Sequence, residues 1–130
     1  MAFVTRLFFA FAAPAMCAAG APARPLAAEL VMLERPGCVW CRKWNEEIAP
    51  IYPKTPESKQ APLRRVDITR PWPADLAAIR ADVYTPTFVL VADGREIDRL
   101  RGYPGDEFFW ALLNEMLAKL PEGGATAQTR

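Results

Sequence analysis

Apolar positions along this chain fall into short runs and longer periodic stretches, with prolines and glycines marking the boundaries. Glu29-Leu-Val-Met-Leu33 is an apolar run of strand length, closed by the breaker pair Pro36-Gly37. Beyond it Trp40, Trp44 and Ile48 recur at i, i+4 and i+8 with Cys41 beside them, the spacing of one helix face. That helix begins near Cys38 and ends by Ala49, because Pro50 disfavours α conformation in the residue before it. Pro53 and Pro56 make the next segment an irregular connection, a proline-rich insertion after the first helix. Leu63 to Ile68 alternates and carries β-branched residues, which predicts a second strand. Pro73 to Ala81 predicts a short helix with proline in its first turn.

Thr87-Phe-Val-Leu-Val91 is unbroken and apolar, as in a central strand covered on both faces. Asp93-Gly94 predicts a two-residue hairpin turn into Glu96 to Leu100, which alternates as an edge strand does. Phe108, Phe109, Leu112, Leu113, Met116, Leu117 and Leu120 repeat with a helical period, with Asp106 placed to cap the helix and Pro121 to stop it. The order is strand, helix, strand, helix, strand, strand, helix. It predicts an α/β fold over residues 24–121, with a central mixed sheet of about four strands flanked by helices. The strand-helix-strand units call for right-handed crossovers and parallel pairing, and the hairpin adds an antiparallel strand.

The two ends read differently. Residues 1–6 hold one positive charge, Arg6, and no acid; Leu7 to Ala19 is an uncharged apolar run, followed by small residues to Ala23. This is the order of a secretory signal peptide over residues 1–23, cleaved between 19 and 23, and it implies an exported protein. The run is shorter than the ~20 residues of a membrane span. Met16 stands before Cys17 where lipidation needs a small residue, so no lipid anchor is expected. Residues 122–130 are small and polar, and are expected to be disordered.

Charge excludes one class of partner and composition several chemistries. Sixteen basic residues against fifteen acidic give a net charge of +1 over 130 residues, so no global field draws in nucleic acid. The chain has no histidine, which removes Ser-His-Asp and Cys-His hydrolases and His-ligated metals. Cysteine is what remains. Loss of the leader takes Cys17 and leaves Cys38-Val-Trp-Cys41 at a strand-to-helix junction.

At the start of a helix, unpaired N–H groups and the macrodipole favour a thiolate, so Cys38 should titrate below about 8.5. Arg35, Arg42 and Lys43 add positive charge. Cys41 lies one turn further on, within reach of the first sulfur and able to resolve a mixed disulfide. A structural zinc needs four ligands where this pair offers two; Cu(I) finds no Met or His beside it; a structural disulfide across so short a loop stabilises little. Redox exchange is the better reading, with the Cys38–Cys41 couple as the sole redox group, no metal and no added cofactor. A second element, Tyr84-Thr85-Pro86-Thr87, opens the central strand, where cis X-Pro bonds occur. A cis bond there leaves the Thr85 backbone free to pair with an extended substrate.

A CxxC at a helix start, a later Thr-Pro and a hairpin-helix ending resemble the thioredoxin fold. The resemblance implies Cys38 as nucleophile, Cys41 as resolving thiol, Pro86 as cis-proline and Thr85 as the substrate-pairing residue; Trp40, inside the motif, is the further substrate-binding candidate. Met32 departs from the pattern, standing where thioredoxins carry a buried aspartate, and Glu34 is a weak substitute. Over nearly the whole mature chain, Pro36-Gly-Cys-Val-Trp-Cys41, Ile48-Ala-Pro-Ile-Tyr-Pro-Lys-Thr55, Ala61-Pro-Leu-Arg-Arg-Val-Asp67 and Thr85-Pro-Thr-Phe-Val-Leu-Val-Ala-Asp-Gly-Arg95 resemble the SoxS-type periplasmic thioredoxins of bacterial sulfur oxidation. This implies a thiol-disulfide reductase that keeps the cysteine of a thiosulfate-oxidising, SoxYZ-type carrier protein active. It also implies a membrane electron donor of the DsbD/CcdA kind. The alternatives are a general periplasmic disulfide oxidase or isomerase, and a metal-binding CxxC module.

Remaining features read as structural. Arg95, Arg99 and Arg101 interleave with Asp93, Glu96 and Asp98, as on a solvated edge strand. Trp72 between two prolines fits packing better than a substrate groove, and Tyr52 with its prolines is a candidate docking surface.

Overall fold

In the computed structural model, residues 27–121 are described; the expected signal peptide and C-terminal tail lie outside them. Strand β1 (Ala28–Glu34) is an inner strand, with Leu30 to Leu33 wholly removed from solvent. Alternation splits those residues between two faces. Leu30 and Met32 join Trp44, Phe88 and Phe109 on one side; Val31 and Leu33 join Val66, Leu76, Ile79, Val89 and Val91 on the other. Helix α1 (Val39–Glu47) follows, then a single 3₁₀ turn (Tyr52–Lys54), helix α2 (Pro56–Gln60), β2 (Leu63–Asp67), a second 3₁₀ turn (Ala74–Leu76), β3 (Thr87–Ala92), β4 (Arg95–Arg101) and α3 (Asp106–Leu117).

The sheet order is β2-β1-β3-β4. β1 runs parallel to β2 and antiparallel to β3, with Leu33 opposite Thr87. β3 is buried at every position, as its apolar run predicts, and joins β4 through Asp93 and Gly94, both at positive φ (50° and 74°). A two-residue turn of that twist needs positive φ at both positions, which Asp-Gly supplies at little cost.

The parallel pairing expected for both strand-helix-strand units holds only for the first. β2 ends beside Glu34 and β3 starts beside Leu33, so the connection leaves and re-enters the sheet at one end, and β3 comes back antiparallel to β1. The helix expected over Pro73 to Ala81 shrinks to the Ala74–Leu76 turn because Pro73 is extended (ψ 132°) and a segment this short buries only Leu76 and Ile79.

The segment of Pro53 and Pro56 is not irregular: the two prolines sit in the first turns of the Tyr52–Lys54 segment and of α2, where a missing N–H costs nothing. Thr55 caps α2 by accepting from the Ser58 amide at 3.3 Å. Tyr52 is a core residue rather than a docking surface. Its ring stacks on Trp110 at 6.1 Å and its hydroxyl donates to the Ala61 carbonyl at 2.7 Å. Trp72 packs against the second core layer and donates to the Leu76 carbonyl at 2.8 Å. Gly105, not Asp106, is the N-cap of α3; Asp106 is its first residue and accepts from the Glu107 amide. Phe108 falls off the Phe109-Leu113-Met116-Leu117 stripe and is exposed.

Candidate active site

The site begins where β1 ends. Pro36-Gly37 turns the chain, with Gly37 at φ 77°, a left-handed value that other residues adopt rarely. This delivers Cys38 to the N-cap of α1 in an extended conformation. Its amide donates to the Arg35 carbonyl at 3.3 Å, its carbonyl accepts from the Arg42 amide at 3.1 Å, and its Sγ accepts from the Cys41 amide at 3.1 Å. The sulfur therefore takes the place of the capping oxygen that satisfies an orphan amide in an ordinary helix start. Cys38 and Cys41 form a disulfide with Cα atoms 5.2 Å apart.

The two sulfurs sit in unlike surroundings. Cys38 is half-buried, whereas Cys41 is 3% exposed and packed in the apolar layer containing Met32, Trp44 and Phe88. An incoming reactant reaches Cys38 first. The buried stripe of α1 is Cys41, Trp44 and Ile48, so Trp40 departs from the face assigned to it by spacing and stands 53% exposed between the cysteines. Lys43 lies over its ring, 5.6 Å from the centroid, and 3.9 Å from Glu47. Arg35 and Arg42, both exposed and next to the motif in sequence, form no ion pair among the described residues.

The Thr85–Pro86 segment reaches the same end of the sheet, because Thr87 pairs with Leu33. The Thr85–Pro86 peptide bond is cis. Pro86 is buried and its carbonyl accepts from the Gly102 amide at 2.7 Å; Thr85 is half-buried. Among the described residues no hydrogen bond engages the Thr85 backbone. Large apolar side chains stand in solvent on both segments: Val39 and Trp40 on the helix, Val83 and Tyr84 before Thr85. Met32 is fully buried in the layer that holds Cys41. Glu34 pairs with Arg65, whose Nε donates to it at 2.8 Å.

One residue escaped the sequence reading altogether. Asp82 is buried, its carboxylate accepting from Arg101 Nε at 2.6 Å, Arg99 Nη1 at 3.0 Å and the Tyr84 amide at 3.2 Å. Arg99 is only 11% exposed, so this part of β4 is not the solvated edge its mixed charges suggest. The available signal was two arginines spaced i, i+2 on one strand face, with a lone acid just before Thr-Pro. Burial pushes the Asp82 carboxyl up, but the hydrogen bonds from Arg101, the Tyr84 amide and Arg99 outweigh it and hold the group down at about 2. In the unfolded chain it titrates near 3.8. Its contribution to stability is therefore complete above about pH 4 and lost as pH falls through 2. Thermal unfolding should show wild type and Asp82→Asn converging as pH drops across that window, and a gap that persists unchanged to pH 2 would contradict the ion network.

No family model and no curated protein matches the chain. Among solved structures, the chain is similar to the periplasmic thioredoxin SoxS from Paracoccus pantotrophus in its reduced form, at 44% identity and a TM-score of 0.69, over 72% of this chain and 99% of that one. It is also similar to a thioredoxin of Malassezia sympodialis (20% identity, TM-score 0.52, covering 70% of this chain and 78% of that). The thioredoxin of Fasciola hepatica gives 21% identity and a TM-score of 0.53, over 72% of this chain and 84% of that one. The latter two likenesses show the fold alone.

Proposed function

We propose, for a chain that belongs to the SoxS-type family of periplasmic thioredoxins and is a thiol-disulfide oxidoreductase, the role of a reductase that keeps the cysteine of a SoxYZ-type carrier protein in its thiol form. The observation that supports this most is the 44% identity to the Paracoccus protein across 99% of that protein's length. In the proposed cycle the Cys38 thiolate attacks the sulfur of a substrate disulfide, and the substrate's other sulfur leaves as a thiol. Cys41 then attacks Cys38 Sγ, releases the second substrate thiol, and forms the Cys38–Cys41 disulfide. Two electrons pass from the protein to the substrate, and a membrane donor of the DsbD/CcdA kind returns them. The couple needs no further cofactor. Thr85 pairs with the extended substrate chain, Pro86 holds that segment, and Trp40 offers an apolar surface beside Cys38. The sequence pattern of residues 1–23 supports export to the periplasm; among the described residues no helix is long and apolar enough to cross a membrane.

Arg35 and Arg42, next to the motif in sequence, and the Cys41 amide on Cys38 Sγ favour a second direction. They stabilise the thiolate and with it the reduced form, which makes a stronger oxidant. Trapping and potential measurement together decide between the two. Cys41→Ser should accumulate a mixed disulfide through Cys38 in periplasmic extract, and mass spectrometry should identify a sulfur-oxidation carrier in it. Recovery of general secreted disulfide proteins alone, with a reduction potential near the ~−120 mV of a strong periplasmic oxidant, would establish the oxidase instead. Stoichiometric zinc or copper in the purified protein would defeat both.

A further inference from the structure

The segment that carries Thr85 has little apolar burial to hold it in place. Val83 is 75% exposed and Tyr84 65% exposed, so neither anchors the loop. What ties it down is polar. Asp82 takes two guanidinium hydrogen bonds from β4 and one from the Tyr84 amide, two residues along its own loop. Arg99 also donates through Nη2 to the Arg80 carbonyl at 2.9 Å and bonds Glu96. Thr87 Oγ1 donates to the Tyr84 carbonyl at 2.8 Å, fixing the far side of the same residue. Arg101, while bonded to Asp82, lies 5.9 Å from the centre of the Tyr84 ring. Tyr84 is thus fixed at its amide, its carbonyl and its ring, and yet its ring remains open to solvent.

A buried carboxylate held by two arginines is an expensive way to stabilise a fold, since apolar residues of similar volume often do as well or better. It is an effective way to fix geometry, because each hydrogen bond has a direction and a length. We propose that Asp82 is a positioning residue: by locking residues 80–84 onto β4 it presents Tyr84 and the Thr85 backbone, in one arrangement, to the polypeptide segment of a protein substrate. Its hydrogen bonds go to Tyr84, Arg99 and Arg101 and none goes to a cysteine, so it acts on docking and leaves the sulfur chemistry alone. A small disulfide, which has no chain to lay along the loop, gains nothing from it.

This rests on the reading of the Tyr84–Thr85 segment as the substrate-pairing surface, and on thiol-disulfide exchange in either direction. The test uses steady-state exchange with insulin and with 2-hydroxyethyl disulfide. Asp82→Asn keeps the shape and removes the charge. It should raise KM for insulin on the order of tenfold, the worth of one hydrogen bond to a charged group, with kcat and the rate on the small disulfide unchanged. Tyr84→Ala should also raise KM for insulin, and adding Asp82→Asn to it should then do little more. If Tyr84→Ala raises KM and Asp82→Asn does not, the positioning role is wrong. If neither raises it, the docking surface itself is wrong and the proposal falls with it. A parallel loss on both substrates shows that Asp82 supports the fold or Cys38, and also overturns it. Should Asp82→Asn not fold, Arg101→Gln removes one donor from a half-exposed side chain, and the same split between the two substrates decides the matter.

Discussion

Cys38→Ser should abolish thiol-disulfide exchange, leaving the rate of the uncatalysed reaction. The nucleophile in such exchange is a thiolate, and the position that favours a thiolate at Cys38 does too little for a serine hydroxyl, which stays protonated and a poor nucleophile near neutral pH. Cys41 is no replacement. It is 3% exposed and packed among apolar side chains, so a protein disulfide does not reach it. Insulin reduction driven by dithiothreitol measures this directly: the Cys38→Ser trace should overlay the trace without protein. Cys41→Ser should differ in kind, reacting once and stopping at the mixed disulfide. A Cys38→Ser protein that keeps most of its activity while Cys41→Ser loses all of it would invert the two roles.

The largest stability effect should come from Trp44. It is fully buried, between Tyr52, Phe88 and Phe109, with ring centroids at 6.3, 5.4 and 5.8 Å. These neighbours come from three separate parts of the chain, so they cannot all collapse into a space left by the indole. Trp44→Ala should therefore cost about 3–5 kcal/mol, a large share of the 5–15 kcal/mol typical of a whole domain. The indole Nε1 is buried without a hydrogen-bond partner among the described residues. Trp44→Phe thus discards an unsatisfied donor along with some volume, and should cost markedly less than Trp44→Ala. Urea unfolding of the oxidised proteins gives both differences. A Trp44→Ala midpoint within error of wild type would mean the aromatic cluster is not what holds α1 to the sheet.

Where the hydrophobic pattern is dense, elements were legible to within a residue or two. β3 is apolar throughout because both its faces are covered, and the Asp93-Gly94 turn follows from residue chemistry alone. The cysteine pair was equally plain, since a CxxC beyond a strand and a Pro-Gly turn leaves few other readings. Sparse patterns misled. Pro53 and Pro56 signalled a break but not that each opens a helical turn, and the alanine-rich stretch after Pro73 has helix propensity without a face to bury. Trp40 shares spacing with the core stripe and yet points away, because a stripe at i, i+3, i+7 from Cys41 fits the same residues as one at i, i+4, i+8 from Trp40. Asp82 was missed for another reason. Its meaning lies in partners 17 and 19 residues away on another element, and no local period encodes such a contact.

The sheet order has a consequence for how the protein breathes. Both segments of the site are continuations of the inner strands: β1 runs into the turn before Cys38, and β3 starts immediately after Pro86. Inner strands are hydrogen-bonded on two sides and open with the global unfolding event, while edges and termini fray at much lower cost. In hydrogen exchange the amides of Val31, Met32, Val89 and Leu90 should be among the slowest in the molecule, and β2 and β4 should exchange first. The redox couple is thereby mounted at the ends of the two strands that open last, while the loop of residues 80–84, tied to β4, follows the edge it is bonded to.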